Sequence, residues 1–230
     1  MARILPNMTD IYALTDSRLS LGRPLAFVAG ALLDAGVKIL QYREKKKKKG
    51  EMLQECLLLR RMTRAAGACF IVNDHIDLAL LVDADGVHIG QEDIPVAQAR
   101  RLLGAEKIIG LSTHSPAQAL AARACGADYI GVGPIFATQT KEDVCAPVGY
   151  SYLDWVVAEQ PLPFVAIGGI KEHNIATIAA HGAGCCALVS ALVGAEDIGA
   201  SVQAVRYAMG QGAAQWQAQQ ALCTAKTTQQ

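Results

Sequence analysis

Gly126-Ala127-Asp128-Tyr129-Ile130-Gly131-Val132-Gly133-Pro134-Ile135-Phe136-Ala137-Thr138-Gln139-Thr140-Lys141 contains one complete structural step of this chain. The small-residue junction Gly126 to Asp128 closes a preceding helix, because glycine past a helix end takes the left-handed conformation. Tyr129 to Val132 is an apolar run with strand character. Gly133-Pro134 ends it, since proline has no N–H to continue a ladder. The polar loop Thr138 to Lys141 then brings two hydroxyls and a lysine together. In isolation such a loop is ordinary surface. Directly after a buried strand, its hydroxyls, N–H groups and ammonium suit a phosphate or diphosphate.

The same step recurs in both directions along the chain. Small-residue junctions stand at Ala35-Gly36-Val37, Gly67-Ala68-Cys69, Ala84-Asp85-Gly86-Val87 and Gly182-Ala183-Gly184-Cys185. The runs after them, Val37–Tyr42, Cys69–Val72, Val87–Ile89 and Cys185–Val189, are nearly continuously apolar, as strands covered on both faces are. Ile11–Leu14, Lys107–Leu111 and Phe164–Ile167 complete a set of eight strands with Tyr129–Val132. Helical patterns lie between: Leu25–Leu33, Met52–Ala66, Pro95–Leu103, Pro116–Ala124 with Ser115 as cap, Asn174–Ala180 and Asp197–Met209. Strict alternation of eight strands with about eight helices predicts an α/β fold closed as a (β/α)8 TIM barrel. An open doubly wound sheet is the alternative, but no Gly-x-Gly-x-x-Gly follows the first strand. Residues 1–212 read as one barrel domain, and 213–230 as a Gln-rich tail expected to be poorly ordered.

Composition restricts the function. The 230 residues are 52% hydrophobic and 18% charged, enough for one large core. The net charge is zero, so neither nucleic acid nor an anionic membrane is attracted in general. The run Lys45–Lys49 has no matching basic stripe elsewhere and reads as a solvated loop. No apolar run reaches the roughly 18 residues of a membrane helix, and Met1 to Asp10 carries no export signal. Seven cysteines without a Cys-x-x-Cys spacing suggest reduced thiols in a cytoplasmic protein. Homo-oligomerisation is left open.

In a barrel, polar residues just past the strand C-termini face one mouth. Read in order they are Gln41, Arg43, Glu44 and Lys45; Asn73 and Asp74; Gln91, Glu92 and Asp93; Ser112, Thr113 and His114; Thr138, Thr140 and Lys141; Gly168-Gly169; and Ser190. Asp74 and Asp93 follow neighbouring strands. Each alone reads as a helix cap. Together, with Asn73, Arg43, Lys45 and Lys141 around the mouth, they suit Mg²⁺, which takes few carboxylates plus substrate phosphates. Ile167-Gly168-Gly169-Ile170 and Val189-Ser190-Ala191 occupy the usual barrel phosphate position, though an ordinary strand-to-helix turn gives the same pattern. Two phosphorylated small molecules and a leaving diphosphate suggest a joining reaction. His114 reads equally as a proton carrier or a hydrogen-bonded loop residue. His75, His88, Asp85 and Asp128 read as structural.

From Ile11 to Asp197 the chain resembles thiamine-phosphate synthase, also called thiamine-phosphate pyrophosphorylase. Tyr12-Ala13-Leu14-Thr15-Asp16, Gln41-Tyr42-Arg43-Glu44-Lys45 and Asn73-Asp74-His75-Ile76-Asp77 carry the resemblance. So do Asp85-Gly86-Val87-His88-Ile89-Gly90-Gln91-Glu92-Asp93, Gly133 to Lys141, and Ala166-Ile167-Gly168-Gly169-Ile170. It implies a (β/α)8-barrel transferase that joins an aminopyrimidine diphosphate to a thiazole phosphate, giving thiamine phosphate and diphosphate. It implies that the carbon–oxygen bond breaks first, leaving a pyrimidine-stabilised cation for the thiazole nitrogen. Gln41, Arg43, Lys45 and Asn73 would hold the pyrimidine diphosphate. Ser112 and Lys141 would contact the leaving diphosphate or its pyrimidine. Asp74 and Asp93 would bind Mg²⁺. Thr138, Gln139, Thr140, Gly169, Val189 and Ser190 would hold the thiazole phosphate. A thiazole tautomerase is the near alternative, using His114 and no diphosphate set. A non-catalytic thiazole-phosphate-binding barrel is the other.

Overall fold

The computed structural model describes residues 4–140 and 145–227. Its strands are β1 (Ile11–Leu14), β2 (Ile39–Tyr42), β3 (Cys69–Asn73), β4 (Gly86–Ile89), β5 (Ile108–Thr113), β6 (Tyr129–Val132), β7 (Phe164–Ala166) and β8 (Cys186–Leu188). They pair in parallel and in sequence order, and β8 closes on β1 through Ile11↔Cys186, Tyr12↔Ala187 and Ala13↔Leu188. This is the expected (β/α)8 barrel, with strand ends moved by a residue or two.

Alternation along each strand divides the core in two. Tyr12, Leu14, Ile39, Cys69, Ile71, Ile108, Tyr129, Val165 and Ala187 form the cluster inside the barrel. Their neighbours Ile11, Ala13, Leu40, Phe70, Val72, Ile109, Ile130 and Leu188 pack outward against the helices. Both faces are therefore buried, which is why the strands read as unbroken apolar runs.

The helices are α1 (Leu25–Asp34), α2 (Lys49–Ala65), α3 (Ile76–Leu81), α4 (Val96–Leu103), α5 (Pro116–Ala124), α6 (Gly149–Glu159), α7 (Glu172–Ala180), α8 (Ser190–Val193) and α9 (Ile198–Thr227). Ser115 caps α5 as expected, its hydroxyl accepting from the Gln118 N–H. Pro95 is the residue before α4 rather than in its first turn.

Asp85 and Asp128 are structural, as expected. The Asp85 carboxylate accepts from Arg60 of α2 at 2.8 Å and from the Phe70 N–H at 2.7 Å. Asp128 does the same with Arg100 of α4 at 2.6 Å and the Ile109 N–H at 2.7 Å. Asp10 repeats the device with Arg206 of α9 and the Ile11 N–H. Each clamp ties a helix to the N-terminal end of a strand, away from the mouth.

The Gln-rich segment requires a correction. The helix α9 continues through it without a break to Thr227. Glutamine and alanine are good helix formers, and composition alone did not show that the last barrel helix runs on through them. Its buried face, Val202, Val205, Met209 and Gly212, extends to Trp216, which lies against Gly182. A Cβ on Gly212 would stand 1.9 Å from the Ala176 carbonyl of α7, so only glycine fits there. Nothing lies within 4 Å of a Cβ on Gly210. Gly212→Ala should cost about 1–3 kcal/mol by overpacking. Gly210→Ala should gain up to about 1 kcal/mol by helix propensity. Urea unfolding of both variants checks the contrast, and an equal response would show that α9 does not press on α7 here.

Candidate active site

The C-terminal strand ends bring most of the expected residues to one mouth. Lys141 lies outside the described residues. Gln41 ends inside the barrel on β2, 3% exposed, and donates from Nε2 to the Tyr12 hydroxyl at 2.8 Å. Arg43, two residues on, is also buried. Its guanidinium meets Asp16 Oδ2 at 2.7 Å and reaches the Thr140 carbonyl at 3.4 Å. Arg18 donates to that same carbonyl at 3.1 Å. The loops after β1, β2 and β6 thus meet at Thr140. Within the β6 loop, the Thr140 N–H bonds to Thr138 Oγ1, and Gln139 points to solvent.

The β2 loop is held by Glu44, whose carboxylate accepts from the Lys45 and Lys46 N–H groups, each at 2.8 Å. Burial opposes its charge, but the Ser17 hydroxyl and those two N–H groups outweigh burial and keep the carboxyl below the ordinary glutamate value. The lysine run is not simply solvated. Lys45 meets Asp74 at 2.5 Å, Lys47 meets Glu55, and Lys49 meets Asp77 at 3.0 Å.

Asp74 has φ +60°, a left-handed backbone for a non-glycine residue. It turns the chain sharply at the end of β3, with its N–H on the His88 carbonyl at 2.9 Å. Asp93 lies past β4, its Oδ2 accepting from the Gly90 N–H at 2.7 Å. Both carboxylates therefore belong to adjacent strand ends, beside half-buried Asn73. No group of three or more metal-ligating side chains occurs among the described residues. Two carboxylates alone fit a hard divalent ion only when substrate oxygens complete its shell.

On the next side of the barrel, Gly168 and Gly169 have φ +100° and +65°. A Cβ on Gly169 would come within 2.7 Å of Phe136 and Ala137, so these glycines let the β6 loop sit on the β7 loop. Val189 precedes α8, and Ser190 opens it. Lys171 donates to Ser190 Oγ at 2.6 Å, adding a cation to this corner.

Sequence reasoning missed three residues. Asp16 and Lys171 were open to the rule that found Arg43, applied to the ends of strand one and to the residues just past Gly168-Gly169. His88 was read as structural. Its ring lies inside the mouth, between Tyr129 at 2.9 Å and Ser112 Oγ at 3.0 Å. His114 bonds to the Gly133 carbonyl through Nδ1 at 2.5 Å and to Gln118 Oε1 through its backbone N–H, contacts that orient the ring and fit both readings of this residue. Burial, with Lys49 beside it, holds His75 below the ordinary histidine value.

These features define a class: a (β/α)8-barrel protein whose strand ends gather cations, carboxylates and glycine turns at one mouth. The sequence profile for thiamine monophosphate synthase matches residues 11–192. A thiamine-phosphate synthase of Lawsonia intracellularis is 56% identical over 212 residues, covering 91% of this chain and 98% of that protein. One of Pelotomaculum thermopropionicum is 61% identical over 197 residues, covering 86% and 90%. The solved thiamine phosphate pyrophosphorylase of Pyrococcus furiosus superposes with a TM-score of 0.81 at 35% identity, covering 90% of this chain and 98% of that one. The chain belongs to the thiamine monophosphate synthase family.

Burial makes the two cations of the β2 loop unequal. Asp16→Ala would leave the Arg43 guanidinium buried without its carboxylate, a loss of about 3–5 kcal/mol. Lys45→Ala breaks a pair whose lysine is 40% exposed. Such pairs contribute at most about 1 kcal/mol. Urea denaturation should rank the two variants in that order.

Proposed function

We propose that this chain is a thiamine-phosphate synthase, a transferase joining an aminopyrimidine diphosphate to a thiazole phosphate with release of diphosphate. The carrying observation is a pair of cationic seats at one mouth. Arg43 and Lys45 stand past β2, and Lys171 with Ser190 stands past β7 and β8, with β1 between them. One seat suits a diphosphate and the other a monophosphate.

The chemistry follows from this arrangement. The carbon–oxygen bond to the diphosphate breaks with both electrons leaving on oxygen. Arg43 and Lys45 stabilise the charge that develops there, and Gln41 and Ser112 orient the pyrimidine that carries the cation. Ser190, Lys171 and the Gly168-Gly169 turn hold the thiazole phosphate so that its ring nitrogen meets that cation. No enzyme nucleophile is required. Asp74 and Asp93 would hold Mg²⁺, which would neutralise further charge on the departing diphosphate.

The tautomerase reading would use His114, whose Nδ1 is held by the Gly133 carbonyl while Nε2 remains to carry a proton. What favours the synthase is the diphosphate set, Arg43, Lys45, Asn73, Asp74 and Asp93. Among the described residues no helix is long and apolar enough to cross a membrane. We propose the cytoplasm as the compartment, in keeping with seven free thiols.

Incubation with both substrates and Mg²⁺ should give thiamine phosphate and diphosphate, and omission of either substrate should abolish both. Conversion of thiazole phosphate alone would favour the tautomerase, and binding without turnover the silent barrel. Asp93→Asn should lower kcat at least about 100-fold at limiting Mg²⁺ with the fold intact by circular dichroism. Undiminished synthesis would remove Asp93 from the metal site. Ser190→Asp should raise KM for thiazole phosphate about tenfold or more by charge repulsion, with KM for the pyrimidine diphosphate unchanged.

A further inference from the structure

A chain of hydrogen bonds crosses the interior of the barrel, buried at Gln41, Tyr12 and Tyr129 and half-buried at His88 and Ser112. Gln41 Nε2 donates to the Tyr12 hydroxyl at 2.8 Å, and that hydroxyl meets the Tyr129 hydroxyl at 2.8 Å. Tyr129 in turn meets His88 Nδ1 at 2.9 Å, and His88 Nε2 meets Ser112 Oγ at 3.0 Å. Two barrel-facing positions are reduced to glycine to admit the rings. A Cβ on Gly110 would stand 2.1 Å from Tyr129 Cζ and 2.5 Å from His88 Nδ1. One on Gly131 would stand 3.2 Å from His88 Cε1. Apolar side chains at these positions would have filled the barrel more simply.

Each hydroxyl has a single proton to give, so the direction of one bond sets the next. Burial holds both tyrosine hydroxyls far above the ordinary tyrosine range, and both keep that proton. With the Gln41 amide donating, the Tyr12 hydroxyl donates to the Tyr129 oxygen, and the Tyr129 hydroxyl donates to His88 Nδ1. His88 Nε2 then donates to Ser112, whose own proton is left for the mouth. At the other end the buried Gln41 Oε1 accepts from nothing in the protein among the described residues.

We infer that Tyr129 and His88 are positioning residues that set the polarity of this chain, fixing Ser112 as a donor and Gln41 Oε1 as an acceptor for the pyrimidine of the substrate. An aminopyrimidine offers the complementary pair on one edge, an exocyclic N–H and a ring nitrogen. The role rests on the function proposed above, whereas the polarity itself does not.

Two measurements test this separately. In the ligand-free protein labelled with ¹⁵N-histidine, long-range ¹⁵N–¹H correlations should show His88 with its proton on Nε2, the signals assigned by their loss in His88→Asn. A proton on Nδ1 would reverse the chain and overturn the inference whatever the enzyme makes. In the synthase assay, Tyr129→Phe should lower kcat/KM for the pyrimidine diphosphate about tenfold, the effect of one misdirected hydrogen bond. KM for thiazole phosphate should not move. Added to Ser112→Ala, Tyr129→Phe should cost clearly less than it does alone, because part of its effect runs through Ser112 and only the part through Gln41 remains. Full additivity, or an unchanged kcat/KM in the single variant, would overturn the positioning role. Tyr12→Phe breaks the same chain one link earlier and carries the same expectations should Tyr129→Phe not fold. A wild-type protein that makes no thiamine phosphate would refute the function while the histidine spectrum still decides the polarity.

Discussion

The pairing of β8 with β1 is the constraint on which the rest depends. Once Ile11, Tyr12 and Ala13 pair with Cys186, Ala187 and Leu188, no strand edge remains and every strand points the same way. All strand C-termini then surround one opening, whatever the sequence distance between them. Arg43 can meet Thr140 across 97 residues of chain only because both follow strands of one closed ring. The helices contribute by covering the outward faces of those strands, which makes the ring stable without occupying its mouth.

The two ends of the ring are built differently. At the N-terminal end three aspartates, each with an arginine from a helix, tie helix to strand and satisfy a strand N–H. Left-handed backbone occurs at both ends. At the clamped end it closes helices, as at Gly36, Asp83 and Gly126, and at the mouth it shapes the turns after strands, with Asp74 at φ +60°, Gly168 at +100° and Gly169 at +65°. Strained or glycine-dependent turns of this kind persist where surrounding structure over-determines them. The clamped end supplies that surrounding structure, and the mouth uses it to aim polar groups inward.

The fold was legible because a strand buried on both faces has no polar residue to hide, and eight such runs alternate with helices. The helices α3, α6 and α8 were not read individually: α3 and α8, at six and four residues, are too short to show a period, and α6 opens on Gly149 with no side-chain cap to mark its start. The site was legible as a list of loop residues but not as an arrangement. Gln41, Arg43, Asp74 and Ser190 stand where the strand-end rule puts them. His88 was not legible, because its place depends on which face of β4 turns inward and on the glycines at 110 and 131 of two other strands. That information belongs to the closed ring and not to any local stretch. The Gln-rich helix was hidden for the opposite reason, since composition there hid a continuous helical face through Met209, Gly212 and Trp216.

The mouth also shows how a site full of charge stays folded before substrate arrives. Arg43 faces Asp16, Lys45 faces Asp74 and Lys171 faces Ser190. Magnitudes separate these contacts. Breaking a buried pair such as Arg43 with Asp16 costs several kcal/mol, more than one contact to a phosphate returns. Breaking an exposed pair such as Lys45 with Asp74 costs at most about 1 kcal/mol. On the function proposed above, a diphosphate would therefore take Arg43 as it stands, already fixed by Asp16, and would draw Lys45 away from Asp74. On the same proposal, moving Lys45 off Asp74 would leave that carboxylate for the Mg²⁺ that Asp74 and Asp93 would hold. The rigid cation and the exchangeable one on a single loop thus have distinct tasks, and burial, not residue type, assigns them.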